Sequence, residues 1–437
     1  MTAALFRASL FHTAADPFRD DGALVYHEDG GLLVRDGRVA ASGDYQTVRA
    51  DWPDAPTTDW RGGVLLPGFV DAHVHFPQLR IIGGFGRTLL EWLDELALPE
   101  EARMADVAYA RQTAETFVRA LAAHGTTTAL VFGAHFASAM AALFEAAAAA
   151  GLRIVSGLVL ADRLLRPDLH QTPEDAYRAS VDLIRRFHGK GRLLYAVTPR
   201  FARSTSEAML EVCQTLLGEH DTVRAQSHIN ESPREVAEVA RLFPWARDYL
   251  AVYERYGVAG RRAVLAHNVH PTPAELERLA AARTAVAHCP ASNAVLGSGI
   301  FPLRRHLDAG VRCALGTDVG AGTGFGMLKE GLQAYLMQRV APDGVALDPG
   351  HLLYLATLAG AEALGLDDEI GSFGAGKAAD FVYLRPPAGS PLEAVLRHAD
   401  GARHALGAMF MLAGSESVRE VRVAGSPVFR RGPEPIA

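Results

Sequence analysis

The sequence predicts an α/β protein: a (β/α)8 barrel of the TIM type, with a small β-sandwich domain built from both termini. Three observations predict it. Between about residues 67 and 368, short apolar runs alternate with longer helix-like stretches, and the repeat occurs eight times. The two ends, 1–66 and 369–437, read instead as short strands punctuated by Gly and Pro. Polar residues suited to chemistry recur at the C-terminal ends of the apolar runs, where barrel enzymes place their sites.

In chain order, the N-terminal part carries GGLLVRDGRVAASG, where Asp36-Gly37 between apolar runs is a hairpin signature. The barrel strands are expected in VLLPGFVDAHVH, TTTALVF, LRIVSGLVL, LLYAVTPR, VRAQSHINE, RAVLAHN, TAVAHCP and VRCALGTD. Helices follow, for example SEAMLEVCQTLLGEH after the fourth strand and PREVAEVARLF after the fifth. A doubly wound open sheet is the alternative, but no GxGxxG opens a helix after the first strand. The connection from Pro77 to about Ala105 is too long for an ordinary βα loop, and its GRTLLEWLDELALPEE is apolar-periodic. It is expected to form a packed lid, about 77–105, over the barrel mouth. At the C-terminal end, IGSFGAGKAADFVYLRP and VREVRVAGSPVFRRG are again strand-like.

Composition narrows the function. With 49% hydrophobic and 21% charged residues the chain is globular, and a net charge of -7 disfavours nucleic acid as a partner. Cys213, Cys289 and Cys313 show no CxxC spacing, so neither a disulfide framework nor a thiolate zinc site is expected. No uncharged apolar run is long enough for a membrane span, and MTAALFRASLFHTAADPF lacks a signal peptide's pattern. The expectation is a reduced, cytoplasmic enzyme acting on a small molecule.

The chemistry lies in the strand ends. His73 and His75 alternate with Val74, so in a strand both rings point the same way, whereas in a helix they would diverge by ~200°. Strand five ends in His228, strand six in His267 and strand eight in Asp318. Imidazoles and a carboxylate on one rim suit a borderline-soft divalent ion with an open position, above all zinc, with iron or manganese as the lesser fits. No strand end carries a lysine to bridge a second ion, so a single metal is expected. Glu231, three residues past His228 in SHINE, is placed to move protons beside the metal, or else to serve as a first-turn acid of the next helix. His267 reads either as a ligand or as the residue that holds the attacking water or oxyanion. Asp318 would orient the nucleophile. His270, His288 and Asn293 have structural readings at least as good.

With PGFVDAHVH, SHINE, AHN, LGTD and the late GKAADFVYL in place, the chain resembles the amidohydrolase superfamily over almost its whole length. Within it, Pro77-Gln78, LLEWL with PEE, TPRF at 198–201 and GTDVGAGTGFGML resemble the guanine deaminases. The resemblance implies a barrel of the metal-dependent hydrolase type, with one Zn2+ on His73, His75, His228 and Asp318. It also implies Glu231 as proton shuttle with His267 and Asp318 at the nucleophile, and a purine gripped by Gln78, Arg200 and Phe201 with Glu231 and His267 beside it. The implied reaction is hydrolytic deamination of guanine to xanthine and ammonia in purine catabolism, by a homodimer. Arg203, three residues past the TPRF arginine at 200, is a departure: if it faced inward instead of Arg200, the substrate would be in question. The alternatives are a related amino-heterocycle, such as 8-oxoguanine, a pterin or a triazine, or a metal-free barrel retained as an interaction protein.

Overall fold

The computed structural model describes residues 3–432. The chain opens with β1 (Ala3–Thr13), β2 (Leu24–Arg35), β3 (Arg38–Asp44) and β4 (Thr57–Pro67). Asp36 (φ 51°) and Gly37 (φ 80°) make the tight β2–β3 turn, a left-handed pair that fits the twist of a hairpin. The barrel strands are β5 (Phe69–His75), β6 (Thr126–Phe132), β7 (Arg153–Gly157) with the short β8 (Val159–Leu160), β9 (Leu193–Pro199), β10 (Arg224–Ile229), β11 (Ala263–His267), β12 (Ala285–His288) and β13 (Cys313–Leu315). Then β14 (Phe381–Leu384), β15 (Val418–Val423) and β16 (Ser426–Arg430) return to the first sheet.

Both ends of the chain meet in one seven-stranded sheet, ordered β16-β15-β14-β4-β1-β2-β3. The pairing has a packing cause: Phe6, Leu32, Val34 and Leu65 from the N-terminal strands share an apolar cluster with Phe381 and Tyr383. VLLP of the predicted first barrel strand belongs to β4 of this sheet, and the chain enters the barrel only at Phe69. The strand-like tail also contains two helices the sequence reading did not anticipate, Pro391–Leu396 and Ala402–Leu412. Their Leu392, Leu406, Met409 and Phe410 join the main core.

The barrel strands run parallel in the order β5-β6-β7-β9-β10-β11-β12-β13, with β8 paired to β9. Their residues are buried nearly throughout, as strands covered on both faces require. The β13 end closes onto β5 through Asp318 N–H to the His73 carbonyl and His75 N–H to the Val319 carbonyl, each at 2.9 Å. Gly316 makes this approach possible, because a Cβ there would stand 2.7 Å from His73 Cβ and 3.0 Å from its backbone.

Over the C-terminal mouth lies the long connection after β5, folded as short helical turns from Phe76 to Ala105. Leu89, Leu90, Trp92, Leu93 and Leu98 bury themselves against Leu169, Phe201 and Leu296. This side-chain burial, at ~1.5–3 kcal/mol for each large apolar group, holds the lid onto the barrel. Among the described residues no helix is long and apolar enough to cross a membrane.

Candidate active site

His73 and His75 leave β5 on one face, and their Nε2 atoms lie 3.1 Å apart. His228, on β10, brings its Nε2 within 3.2 Å of His75 Nε2. Asp318, just beyond β13, sets Oδ1 3.3 Å from Nε2 of both His73 and His75. All four are buried. His267 lies alongside, its Nε2 3.8 Å from Asp318 Oδ2 and 3.5 Å from Glu231 Oε2. Asp318 (φ 48°) and His267 (φ 74°) both adopt left-handed backbone, a conformation that costs a non-glycine residue ~1–3 kcal/mol and concentrates at functional sites.

Burial drives the electrostatics. It lowers the pKa of His73, takes that of His75 down to about 4, and, with the neighbouring histidines, pushes that of His228 well below its ordinary value. The rings are therefore neutral. Burial also raises the Asp318 carboxyl, but hydrogen bonds from His73 and His75 outweigh it and leave the group well below the usual carboxylate range. His228 Nδ1 donates to the Arg200 carbonyl at 2.6 Å, which fixes the tautomer and turns a bare Nε2 lone pair toward the cluster.

Three imidazole nitrogens and a carboxylate oxygen thus converge with too few protons to satisfy one another. A divalent cation resolves the repulsion, and the donor set of nitrogen and oxygen atoms fits one. The 3.1–3.3 Å spacings between these donor atoms suit ligands that share one zinc ion at ~2.0–2.1 Å.

Glu231 is 3% exposed and faces the same cavity. It does not cap the following helix, Pro233–Leu242. Ser232 accepts from the Glu235 N–H at 3.3 Å, and Glu235 accepts the Glu231 N–H at 2.9 Å. The cap is complete without the Glu231 carboxyl. Burial first, then the negative charges of Asp318 and Glu235, push that carboxyl's pKa well above its ordinary value, while Ser298 Oγ donates to it at 3.4 Å.

The cavity is small and lies partly open beneath the lid. Gln78, Arg200 and Phe201 line it together with His75, His228, Glu231, His267 and Asp318, under lid residues Leu89, Trp92 and Leu93. Arg200 is 2% exposed and points inward. Arg203 is turned away, ion-paired with Glu238 and donating to the Leu164 carbonyl at 3.1 Å. Of the two arginines, only Arg200 reaches the pocket.

Two residues at this site escaped the sequence reading. Asn293 Oδ1 accepts from His267 Nδ1 at 3.0 Å and orients that ring, so its part is more than helix capping. Glu101, in the lid's PEE, is 1% exposed and meets Arg200 Nη1 at 2.5 Å, Gln78 Nε2 at 2.8 Å and His135 Nε2 at 3.2 Å. The only signal in the sequence was an acid at the end of an amphipathic lid, which the adjacent Glu100 matches equally well. His288 remains outside the cluster, stacked on Phe301 at 4.3 Å, and His270 bonds the Ser298 carbonyl at 2.7 Å.

Comparison with known proteins matches residues 64–428 to the amidohydrolase family, and residues 30–55 to an imidazolonepropionase-like composite domain of bacteria. A probable guanine deaminase of Deinococcus radiodurans is 58% identical over 436 residues, covering 98% of this chain and 99% of that protein. The structure of E. coli guanine deaminase superposes with a TM-score of 0.93 at 37% identity, covering 99% of this chain and 100% of that one. An adenosine deaminase from Xanthomonas campestris with bound zinc is similar at a TM-score of 0.82 and 25% identity, covering 98% of this chain and 92% of that one.

Proposed function

The chain belongs to the amidohydrolase family, and on that premise we propose that it deaminates guanine hydrolytically, releasing xanthine and ammonia in purine catabolism. The observation that carries the reading is one cavity that joins the His73, His75, His228 and Asp318 cluster and Glu231 to the paired donors of Arg200 and Gln78. A relative at 58% identity named a probable guanine deaminase, and the structure of E. coli guanine deaminase covering 99% of the chain, support the substrate.

His73, His75, His228 and Asp318 are the residues that would hold a single zinc, which when bound supplies Lewis-acid activation of water for the attack. The rest of the chemistry belongs to side chains. Arg200 presents guanidinium donors to the O6 and N7 acceptors along one edge of guanine, and the Gln78 amide meets mixed donors and acceptors on the ring. Phe201 packs against the base. Held this way, C2 with its amine faces Glu231 and the histidine cluster.

As water adds to C2, the Glu231 carboxylate accepts a water proton, and its raised affinity for protons suits that task. It delivers that proton to ring N3, then takes the remaining hydroxyl proton of the C2 adduct and passes it to the amine, so that the C2–N bond breaks, ammonia leaves and the carbonyl of xanthine forms. His267, with Nδ1 anchored on Asn293, aims Nε2 between Glu231 and Asp318 and holds the water and the developing oxyanion. Asp318 Oδ2 faces the same point and aligns the nucleophile. The lid excludes bulk water from these transfers.

The test is ammonia release from guanine and 8-oxoguanine assayed side by side, with metal content measured on the same preparation. Turnover of guanine with about one zinc per chain is expected. Turnover of 8-oxoguanine alone, or a fully active metal-free protein, would replace this reading.

A further inference from the structure

The substrate grip just described depends on a carboxylate that touches neither the zinc cluster nor the reacting carbon. Glu101 belongs to the lid segment Leu98–Ala102, yet it is 1% exposed and receives donors from three other parts of the chain. Arg200 comes from the end of β9, Gln78 from the turn after β5, and His135 from the connection after β6. Gln78 is fixed at both ends, because its Oε1 accepts from the Gly320 N–H at 3.1 Å while its Nε2 donates to Glu101. The amide orientation is thereby set by its partners and not by the substrate. Arg200 spends one nitrogen on Glu101, and among the described residues no protein group takes the remaining donors of its fork.

We propose that Glu101 is the positioning residue for substrate recognition: one lid carboxylate orients Arg200 and Gln78 together and holds them ready only while the lid is seated. The proposal rests on the guanine reading above and adds to it. Three features carry it. A guanidinium this deeply buried needs a counter-charge, and Glu101 is the acid that provides it. The ion pair is neutral overall, which matches a neutral heterocycle bearing a carbonyl acceptor and disfavours an anionic ligand. And the carboxylate sits on the element that covers the mouth, so lid placement and the geometry of the grip are one event.

Glu101 acts through other residues, so its signature is a shift in binding that depends on Arg200. E101Q removes the charge, and E101D keeps it while withdrawing it by one methylene. Because E101Q strands a buried arginine and can fail to fold, E101D carries the test independently. Kinetics with guanine are measured for wild type, E101D, E101Q, R200A and the E101D/R200A double variant, with zinc content and thermal midpoint on each. For E101D we expect kcat/KM to fall on the order of 10- to 100-fold, mostly through KM, with zinc content unchanged. In the R200A background the same substitution should change kcat/KM by less than about threefold, since the residue being positioned is gone. E101Q, where folded, should bind anionic purine analogues more tightly than wild type does.

Equal losses from E101D with and without Arg200, or a fall confined to kcat, would overturn the positioning role and leave Glu101 as a lid latch. Wild-type kinetics for E101D would overturn it as well. A wild-type protein that releases no ammonia from guanine overturns the functional reading itself, and this proposal with it, so the two failures are separately visible in the wild-type and E101D measurements.

Discussion

Glu231 and Arg200 line one cavity and have different proposed roles, so their variants should fail differently. Glu231→Gln keeps size and hydrogen bonding but cannot accept a proton, and kcat on guanine should fall by ~10²–10⁴ while zinc content is retained. Full activity would remove Glu231 from the proton path. Arg200→Ala deletes a charged donor from a buried acceptor and should reduce kcat/KM by about 2–3 kcal/mol in transition-state stabilisation, seen chiefly in KM. An unchanged KM would end its role in recognition. Glu231 was visible in the sequence because a polar residue just past a barrel strand has few places to go but the mouth, and Arg200 was visible through the resemblance carried by TPRF. Whether Arg200 or its neighbour Arg203 faced inward was not visible. The choice is made by Glu101 on one side and Glu238 on the other, 99 and 35 residues away.

Strands and helix starts set how accurately these side chains are held. Gly316→Ala places a methyl group where 2.7 Å separates it from His73 Cβ, so β13 must retreat from β5. Overpacking of this kind costs ~1–3 kcal/mol, and here the displaced residues include His73 and Asp318. The expected result is a lower thermal midpoint together with weakened zinc retention in a chelator competition. Ser232→Ala removes the cap of Pro233–Leu242 at a cost of about 1 kcal/mol, and it loosens the turn that aims Glu231. A stability loss without any loss of kcat would show that the turn tolerates the change. The eight barrel strands were legible because buried parallel strands read as apolar runs. The helices Pro391–Leu396 and Ala402–Leu412 were not, because they lie between strand-like segments dense in Gly and Pro, and their helicity is stabilised by packing on the barrel.

Across the folded protein, buried neutral histidines tie stability to pH. Burial lowers His12, in the terminal sheet, to about 4, and His306, in the helix Leu303–Ala309, also to about 4. A folded-state pKa below the unfolded value of ~6.5 means the native state resists protonation. Their contribution to stability is complete above pH ~6.5 and is lost as pH falls from there toward 4. Denaturation midpoints measured across this window should drop, and His12→Gln should flatten the slope. An identical slope in that variant would assign the acid sensitivity elsewhere. A zinc ion held by the histidine cluster would act in the same thermodynamic sense, since an ion that binds only the native state stabilises it by mass action. Dialysis against a chelator should therefore lower the thermal midpoint, and added zinc should restore it.

The order of residues was enough to place His73 and His75 on one face, to bring His228, His267 and Asp318 to the same rim, and to group Gln78, Arg200 and Phe201 by family resemblance. Local periodicity and strand ends carry that information, and a parallel barrel converts it into proximity almost automatically. Folding in three dimensions settled the partners: Glu101 beneath Arg200 and Gln78, Asn293 behind His267, and Ser232 with Glu235 capping a helix so that the Glu231 carboxyl stays in the pocket. Such pairings are chosen by the need of each buried polar group for a counter-charge or hydrogen bond. The group that answers that need is whichever one the packing of distant segments delivers, and no local pattern encodes it.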